Sequence, residues 1–290
     1  MQSLWMLAAS FLFALMAGAV KLASADIGTF TLVFYRGLFG IVILGTWCMA
    51  TGRSLKTKYP LGHIKRSVSG TVALAMWLYC LAFLPLSTGT TLNYTSPLFM
   101  SAILVAAAFL YKRPVEWKLV LACIVGFVGV VEVLQPEFRS GDLVPALVGL
   151  GSGLCSAIAY IQIKQLSQFH EPDWRVVFYF SICNAVFGLV GHLLFEKPDV
   201  YNLQSILCIV VVGVSATVAQ LMMTRSFSAG NLLLSSILSF SGIVFACIFG
   251  VFFFGDVTTF ETYLGIAIII VAGATASVVT KRAGKVQQKN

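Results

Sequence analysis

Residues 231–254 read NLLLSSILSFSGIVFACIFGVFFF, a run without one charged side chain. About 20 predominantly apolar residues suffice for a helix to cross a hydrocarbon core about 30 Å thick. Lipid offers no hydrogen bonds to backbone groups, so a run of this kind is expected to fold as a helix. Working outward, nine further runs occupy 3–23, 28–50, 67–86, 88–110, 115–134, 143–164, 175–195, 203–224 and 258–280. The segments between them are short, the longest running from Thr51 to Arg66, and leave no room for a soluble domain. The expectation is an all-α integral membrane protein of ten transmembrane helices.

Composition agrees. Of 290 residues, 59% are hydrophobic and 10% charged, and mean hydropathy is +0.93. A soluble domain carries about 25% charged residues, so the charges here are too few to cover a wetted surface. Ala23-Ser24-Ala25 mimics a signal-peptide cleavage site. No Lys or Arg precedes Lys21, however, and the apolar stretch is too long for a signal peptide, so the first run reads as a retained helix. Seven cysteines fall one each in seven runs, as apolar packing residues rather than a disulfide framework or metal set.

The net charge of +8 would suit nucleic acid, but its distribution argues for topology instead. With ten spans both termini lie on one side. The segments on that side hold Arg53, Lys56, Lys58, Lys65, Arg66, Lys112, Arg113, Lys118, Lys164, Arg175, Arg225 and the basic tail from Lys281 to Lys289, which is 15 of the 19 basic residues. The opposite side keeps Lys21, Arg139 and Lys197 with most of the acids. Lys and Arg mark the cytoplasmic side, so both termini are expected there. Short loops without an extended tail suit a bacterial cytoplasmic (inner) membrane.

The chain also matches itself at an offset of 143–144 residues. Val33-Phe34-Tyr35 repeats as Val177-Phe178-Tyr179, Lys21 and Ser24 as Lys164 and Ser167, Thr91 and Thr95 as Ser235 and Ser239, and Gly129 as Gly273. Two halves follow, 1–140 and 141–290. Each holds five spans, an odd number, so the copies insert in opposite orientation, and inner Lys112 aligns with outer Asp256. Inverted copies can exchange conformations, turning an outward-open cavity into an inward-open one.

The five-plus-five layout, Phe34-Tyr35-Arg36, the run from Asn93 to Phe99, and Gly126-Phe127-Val128-Gly129 with Gly265 and Gly273 together resemble the EamA-type branch of the drug/metabolite transporter (DMT) superfamily. That resemblance implies a central cavity lined by spans one, three, four, six, eight and nine, with spans five and ten packing the halves together. Family members commonly carry an acid after spans four and nine. Asp256 fits the second position, while Lys112-Arg113 replaces the first.

Arg36 is the sharpest candidate for substrate contact, since an intramembrane charge costs about 2.5–3.5 kcal/mol unless it meets water or a partner. It serves either an anionic substrate group or the fold, and its repeat mate is Phe180. In span four, Asn93, Tyr94, Ser96 and Pro97 combine polar groups with a proline that frees a carbonyl one turn back. Trp77, Tyr79, Tyr160 and Gln220 offer ring faces with a hydrogen-bonding handle, suited to an amphipathic ligand. Ser235 and Ser239 share a small-residue stripe that also serves close helix packing.

No Walker A loop, H-E-x-x-H or G-x-S-x-G element is present, and the three histidines lie in loops or near span ends. The expectation is therefore no enzyme, no cofactor and no metal site. The chain reads as a secondary transporter of a small organic metabolite, such as an amino acid or related amphipathic solute, held in a lipid bilayer and without a nucleic-acid partner. A channel, a lipid-linked substrate flippase and a non-transporting scaffold are the alternatives.

Overall fold

The computed structural model describes residues 2–112, 114–138 and 141–287, with side chains as far as 282. Arg113, Arg139 and Lys289, counted in the charge balance, lie outside the described residues, as does the side chain of Lys285. After a 3-10 turn at Gln2–Leu4 come α1 (Trp5–Ala23), α2 (Thr29–Ala50), α3 (Pro60–Phe83), α4 (Leu86–Asn93), α5 (Ser96–Leu110) and α6 (Trp117–Leu134). The second half holds α7 (Leu143–Gln168), α8 (Asp173–Phe195), α9 (Leu203–Ala229), α10 (Leu232–Ser239), α11 (Ser241–Phe254) and α12 (Phe260–Gln287). Taking α4 with α5 and α10 with α11, ten helices among the described residues are long and apolar enough to cross a membrane.

Local chemistry sets the boundaries. Asn202 and Ser205 form a reciprocal capping box at the start of α9, and the Asn231 side chain accepts from Leu234 N at the start of α10. The fourth span breaks where proline predicts. Pro97 has no N–H for the Asn93 carbonyl, and the chain tightens so that Thr95 N donates to Leu92 O at 3.2 Å. Gly255, at φ +66°, ends α11 in the left-handed region.

One boundary corrects the sequence reading. The third helix begins at Pro60 rather than 67, which draws Arg66 out of the supposed loop and into a span. Pro60 sits in the first turn, where its missing N–H costs nothing. A hydropathy reading stops at the charges Lys65 and Arg66, whereas helix geometry continues through them.

The packing joins the two halves helix by helix. α1 lies on α9, α2 on α8, α3 on α7 and α6 on α12. Small residues set the closest approaches. At the α6–α12 crossing, a Cβ on Gly129 would meet Gly265 O at 2.8 Å, and one on Gly265 would meet Gly129 O at 2.6 Å. Lipid tails are as apolar as leucine, so this close fit and interhelical hydrogen bonds supply the association. Large apolar side chains such as Leu193, Phe195, Leu203 and Phe252 are left exposed on the outer surface, where acyl chains would cover them.

Candidate functional site

A partly open cavity of about 200 Å³ lies between the helix pairs. Arg36 enters it from α2, Arg66, Leu74 and Trp77 from α3, and Asn93 from the end of α4. The second half contributes Ser156 and Tyr160 from α7, Phe180 from α8, and Gln220 and Met223 from α9. Phe13 of α1 completes the wall. Spans two and seven thus line the cavity where the resemblance implied span nine, which contributes no residue among those described. A larger cleft of about 330 Å³ lies at the helix ends, beside Lys58, Tyr59, Leu61 and Lys65, and is open to the surface.

Two guanidinium groups share the central cavity, and no Asp or Glu is among its lining residues. Arg36 Nη2 donates to Gln220 Oε1 at 3.3 Å. Arg66 is only 2% exposed, and its Nε and Nη1 have no hydrogen-bond partner. Its cationic carbon lies 4.3 Å from the centre of the Phe180 ring, a cation–π contact. Gly70, one turn along, leaves room for this side chain, since a Cβ there would lie 2.5 Å from Nη1. Trp77 Nε1 and Gln220 Nε2 are likewise buried without acceptors. The unpaired buried polar atoms of the cavity wall are therefore all donors. Buried polar groups are ordinarily paired, with protein or with water, so this wall presents donors to whatever occupies the cavity, and its two cations favour negative charge there.

Of the residues singled out in the sequence, Arg36, Trp77, Asn93, Tyr160 and Gln220 meet in this cavity. Asn93 Nδ2 also donates to Ser152 Oγ at 2.6 Å, and Tyr160 stacks on Phe227 with ring centres 4.5 Å apart. The others lie elsewhere. Tyr79 is 42% exposed and leans on Phe83. Tyr94 packs against Phe240, and Ser96 and Pro97 are buried at the start of α5. Ser235 is bonded to Ser226, and Ser239 to its own helix at Ser236 O. Arg66 and Phe180 are the cavity-lining pair that the sequence reading missed. A signal for Arg66 exists, because Arg66, Gly70, Ala73 and Trp77 recur at helical spacing on one face once the helix is started at Pro60.

Polar clasps hold α8 to the first half at both of its ends. At one end the carboxylates of Glu196 and Asp199 cap the start of α2. Gly28 N donates to Asp199 at 2.6 Å, and Phe30 N and Thr31 N donate to Glu196 at 2.7 and 3.0 Å. Negative charge there suits the unpaired N–H groups and the dipole of α2. At the other end Glu171 accepts from Thr57 Oγ1 at 2.8 Å and from Arg175 at 2.8 Å, and meets His63 Nε2 at 3.1 Å. Burial alone would raise the Glu171 pKa, but the hydrogen bonds from Arg175, Thr57 and His63 outweigh it and hold the carboxyl below its ordinary value.

Against known proteins, the model of the EamA-like transporter family matches twice, over residues 1–135 and 143–278. The pseudopaline exporter CntI of Pseudomonas aeruginosa is 31% identical over 269 residues, covering 91% of each chain. An S-adenosylmethionine uptake transporter of Rickettsia prowazekii is 25% identical over 257 residues, covering 87% of this chain and 84% of its own. One crystal structure shares the fold with a TM-score of 0.84 at 19% identity, over 97% of this chain and 98% of the other. By these matches along nearly its whole length, the chain is a multi-pass membrane protein of the EamA-like transporter family.

Proposed function

We propose that this chain is a secondary carrier that moves a small, carboxylate-bearing metabolite across the membrane by alternating access. One observation carries the substrate class. The central cavity holds two arginines and an unpaired set of donors, with no carboxylate to neutralise them. A substrate carboxylate supplies the missing acceptors, and a planar guanidinium receives it through two parallel hydrogen bonds. A substrate ammonium would find ring faces and the neutral oxygens of Asn93, Ser156, Tyr160 and Gln220, but no carboxylate among the lining residues.

Alternating access is supported by the double family match and by the pairing of helices. If 1–140 and 141–290 are inverted copies, α1 corresponds to α7 and α3 to α9. Exchanging the halves then turns the α1–α9 contact into the α7–α3 contact and leaves α2–α8 and α6–α12 in place. A fold with that symmetry has two equivalent ways to close around one central site. The clasps at the two ends of α8 are suitable closures. Both termini are placed in the cytoplasm on the Lys and Arg bias, in a bacterial inner membrane. The relatives are named for transport in both directions, export for one and uptake for the other, so the substrate is read from this cavity alone.

The test is counterflow in proteoliposomes. Vesicles preloaded with an unlabelled organic acid should transiently accumulate the same acid, labelled, from outside, and the uptake should saturate. Linear, non-saturating flux would indicate a channel. No flux from well-folded protein would leave a lipid-linked substrate or a scaffold.

A further inference from the structure

The cleft of about 330 Å³ at the helix ends shares no lining residue with the central cavity. It opens where α3 begins and α7 ends, on the face that carries most of the Lys and Arg. Lys58, in the connector before α3, and Lys65, on its second turn, both line it. Helical side chains lean toward the N-terminus of their helix, so the Lys65 stem is aimed at the end where Lys58 lies. Both lysines are exposed, and neither side chain has an ion pair or hydrogen bond among the described residues. No Asp or Glu lines the cleft, and Glu171, close by in sequence, is already taken up by Thr57, His63 and Arg175. The cleft is therefore cationic without compensation. Its remaining wall is mixed. Tyr59 stacks on Phe169 with ring centres 4.6 Å apart, and Gln162 adds an Oε1 buried without a donor, an acceptor for a headgroup hydroxyl.

From the cleft toward the membrane interior, the same faces of both helices continue as exposed apolar surface. On α3, Leu61, Lys65, Val68 and Val72 recur at helical spacing, and the three apolar members are all exposed. On α7, Gln165 of the cleft is followed inward at the same spacing by exposed Ile158 and Leu154. A charged head and two apolar stripes thus lie end to end along one helix pair. We infer that this cleft seats an anionic phospholipid of the surrounding leaflet, with its phosphate on Lys58 and Lys65 and its acyl chains along the two stripes. Lysine binds phosphate as a point charge, and basic pockets between transmembrane helices suit anionic headgroups. A free phosphate would satisfy the lysines but cover none of the apolar surface. A choline lipid would cover the stripes but bring its own cation to two uncompensated ones. The inference goes beyond the carrier reading and needs neither a substrate nor transport.

Native mass spectrometry of the purified full-length protein tests this, with the protein released from micelles that hold equimolar phosphatidylglycerol and phosphatidylcholine of matched acyl chains. The first phosphatidylglycerol adduct should exceed the phosphatidylcholine adduct at least about tenfold, which corresponds to about 1.4 kcal/mol. Lys58→Gln combined with Lys65→Gln should bring that ratio close to one, while Lys58→Arg combined with Lys65→Arg should keep most of it. Lys281→Gln combined with Arg282→Gln removes the same charge at the end of α12, outside the cleft, and should leave the ratio unchanged. Glycerol 3-phosphate, a headgroup without chains, should not displace the bound lipid at equal concentration. Equal adducts of the two lipids in the wild-type protein overturn the site. So does an equal loss of preference in both Gln pairs, which would mean a diffuse basic surface, or displacement by glycerol 3-phosphate, which would mean a phosphate site without a lipid.

Discussion

Replacing Gly188 with alanine tests whether α8 and α2 touch backbone to backbone beside the site. A Cβ at Gly188 would meet Phe34 N, and would lie 2.7 Å from Phe34 Cα and 2.8 Å from Phe30 O. Ordinary contact begins near 3.4 Å, so the helices must part by roughly 0.7 Å or more. Backbone atoms cannot swing aside as a side-chain end can, and overpacking of this kind costs about 1–3 kcal/mol. Gly45→Ala is the matched control. Its added methyl meets only Phe178, at 3.8 Å, while the gain in helix propensity of about 1 kcal/mol is common to both substitutions. The difference between the two variants therefore isolates the steric term, about 1–3 kcal/mol. At about 2–4 °C per kcal/mol, Gly188→Ala should melt roughly 2–12 °C below Gly45→Ala in detergent, followed by intrinsic fluorescence. Spreading this crossing also displaces Arg36 and Phe180, so acid binding should weaken with it. Equal melting temperatures for the two variants would refute the tight crossing.

Further outcomes follow from the same geometry. Arg36→Gln removes the donor to Gln220 and one of two cations, and should lower organic-acid counterflow at least about tenfold while the protein still inserts and purifies; normal transport would remove Arg36 from the site. Ser235→Ala breaks the bond to Ser226 and should cost about 0.6 kcal/mol, the mean for such interhelical bonds, without changing substrate affinity, as read by melting and titration side by side. Tyr79→Phe, on an exposed face, should change neither reading. Glu171 has a folded pKa below its ordinary value of about 4.3, so its clasp contributes stability that is full above that pH. The contribution is lost as pH falls from there through the lower folded value. Melting curves should steepen in their acid dependence only below about pH 4, and Glu171→Gln should abolish that part of the curve.

The ten spans were legible because lipid imposes a length and an apolar composition that few other constraints mimic. The break before Pro97 was legible because a missing N–H acts locally. Arg36 stood out because its charge lies inside a run, and the same rule hid Arg66. An apolar window ends at a charge, so Arg66 was assigned to the loop although the helix begins at Pro60 and carries it inward. Ring-bearing and small polar residues were harder to sort. Trp77 and Tyr79 are two residues apart, and one faces the cavity while the other is exposed. Only the rotation of α3 separates them, and its apolar stretch from Val72 to Phe83 carries little periodic signal of that rotation until Arg66 is included in the helix. Ser235, on a small-residue stripe, and Gln220, well inside its span, were both candidates for substrate contact. Ser235 is already satisfied by Ser226, whereas the Gln220 amide nitrogen faces no acceptor, a distinction that exists only in three dimensions.

The most direct measurement is counterflow by the purified protein with size-matched labelled organic acids and organic amines, compared in wild type, Arg36→Gln and Arg66→Gln. The cationic, donor-rich cavity predicts saturable accumulation of acids, little of amines, and loss of the acid signal in both variants. Amines carried as well as or better than acids, or acid counterflow surviving both substitutions, would contradict an anion site built on these two arginines.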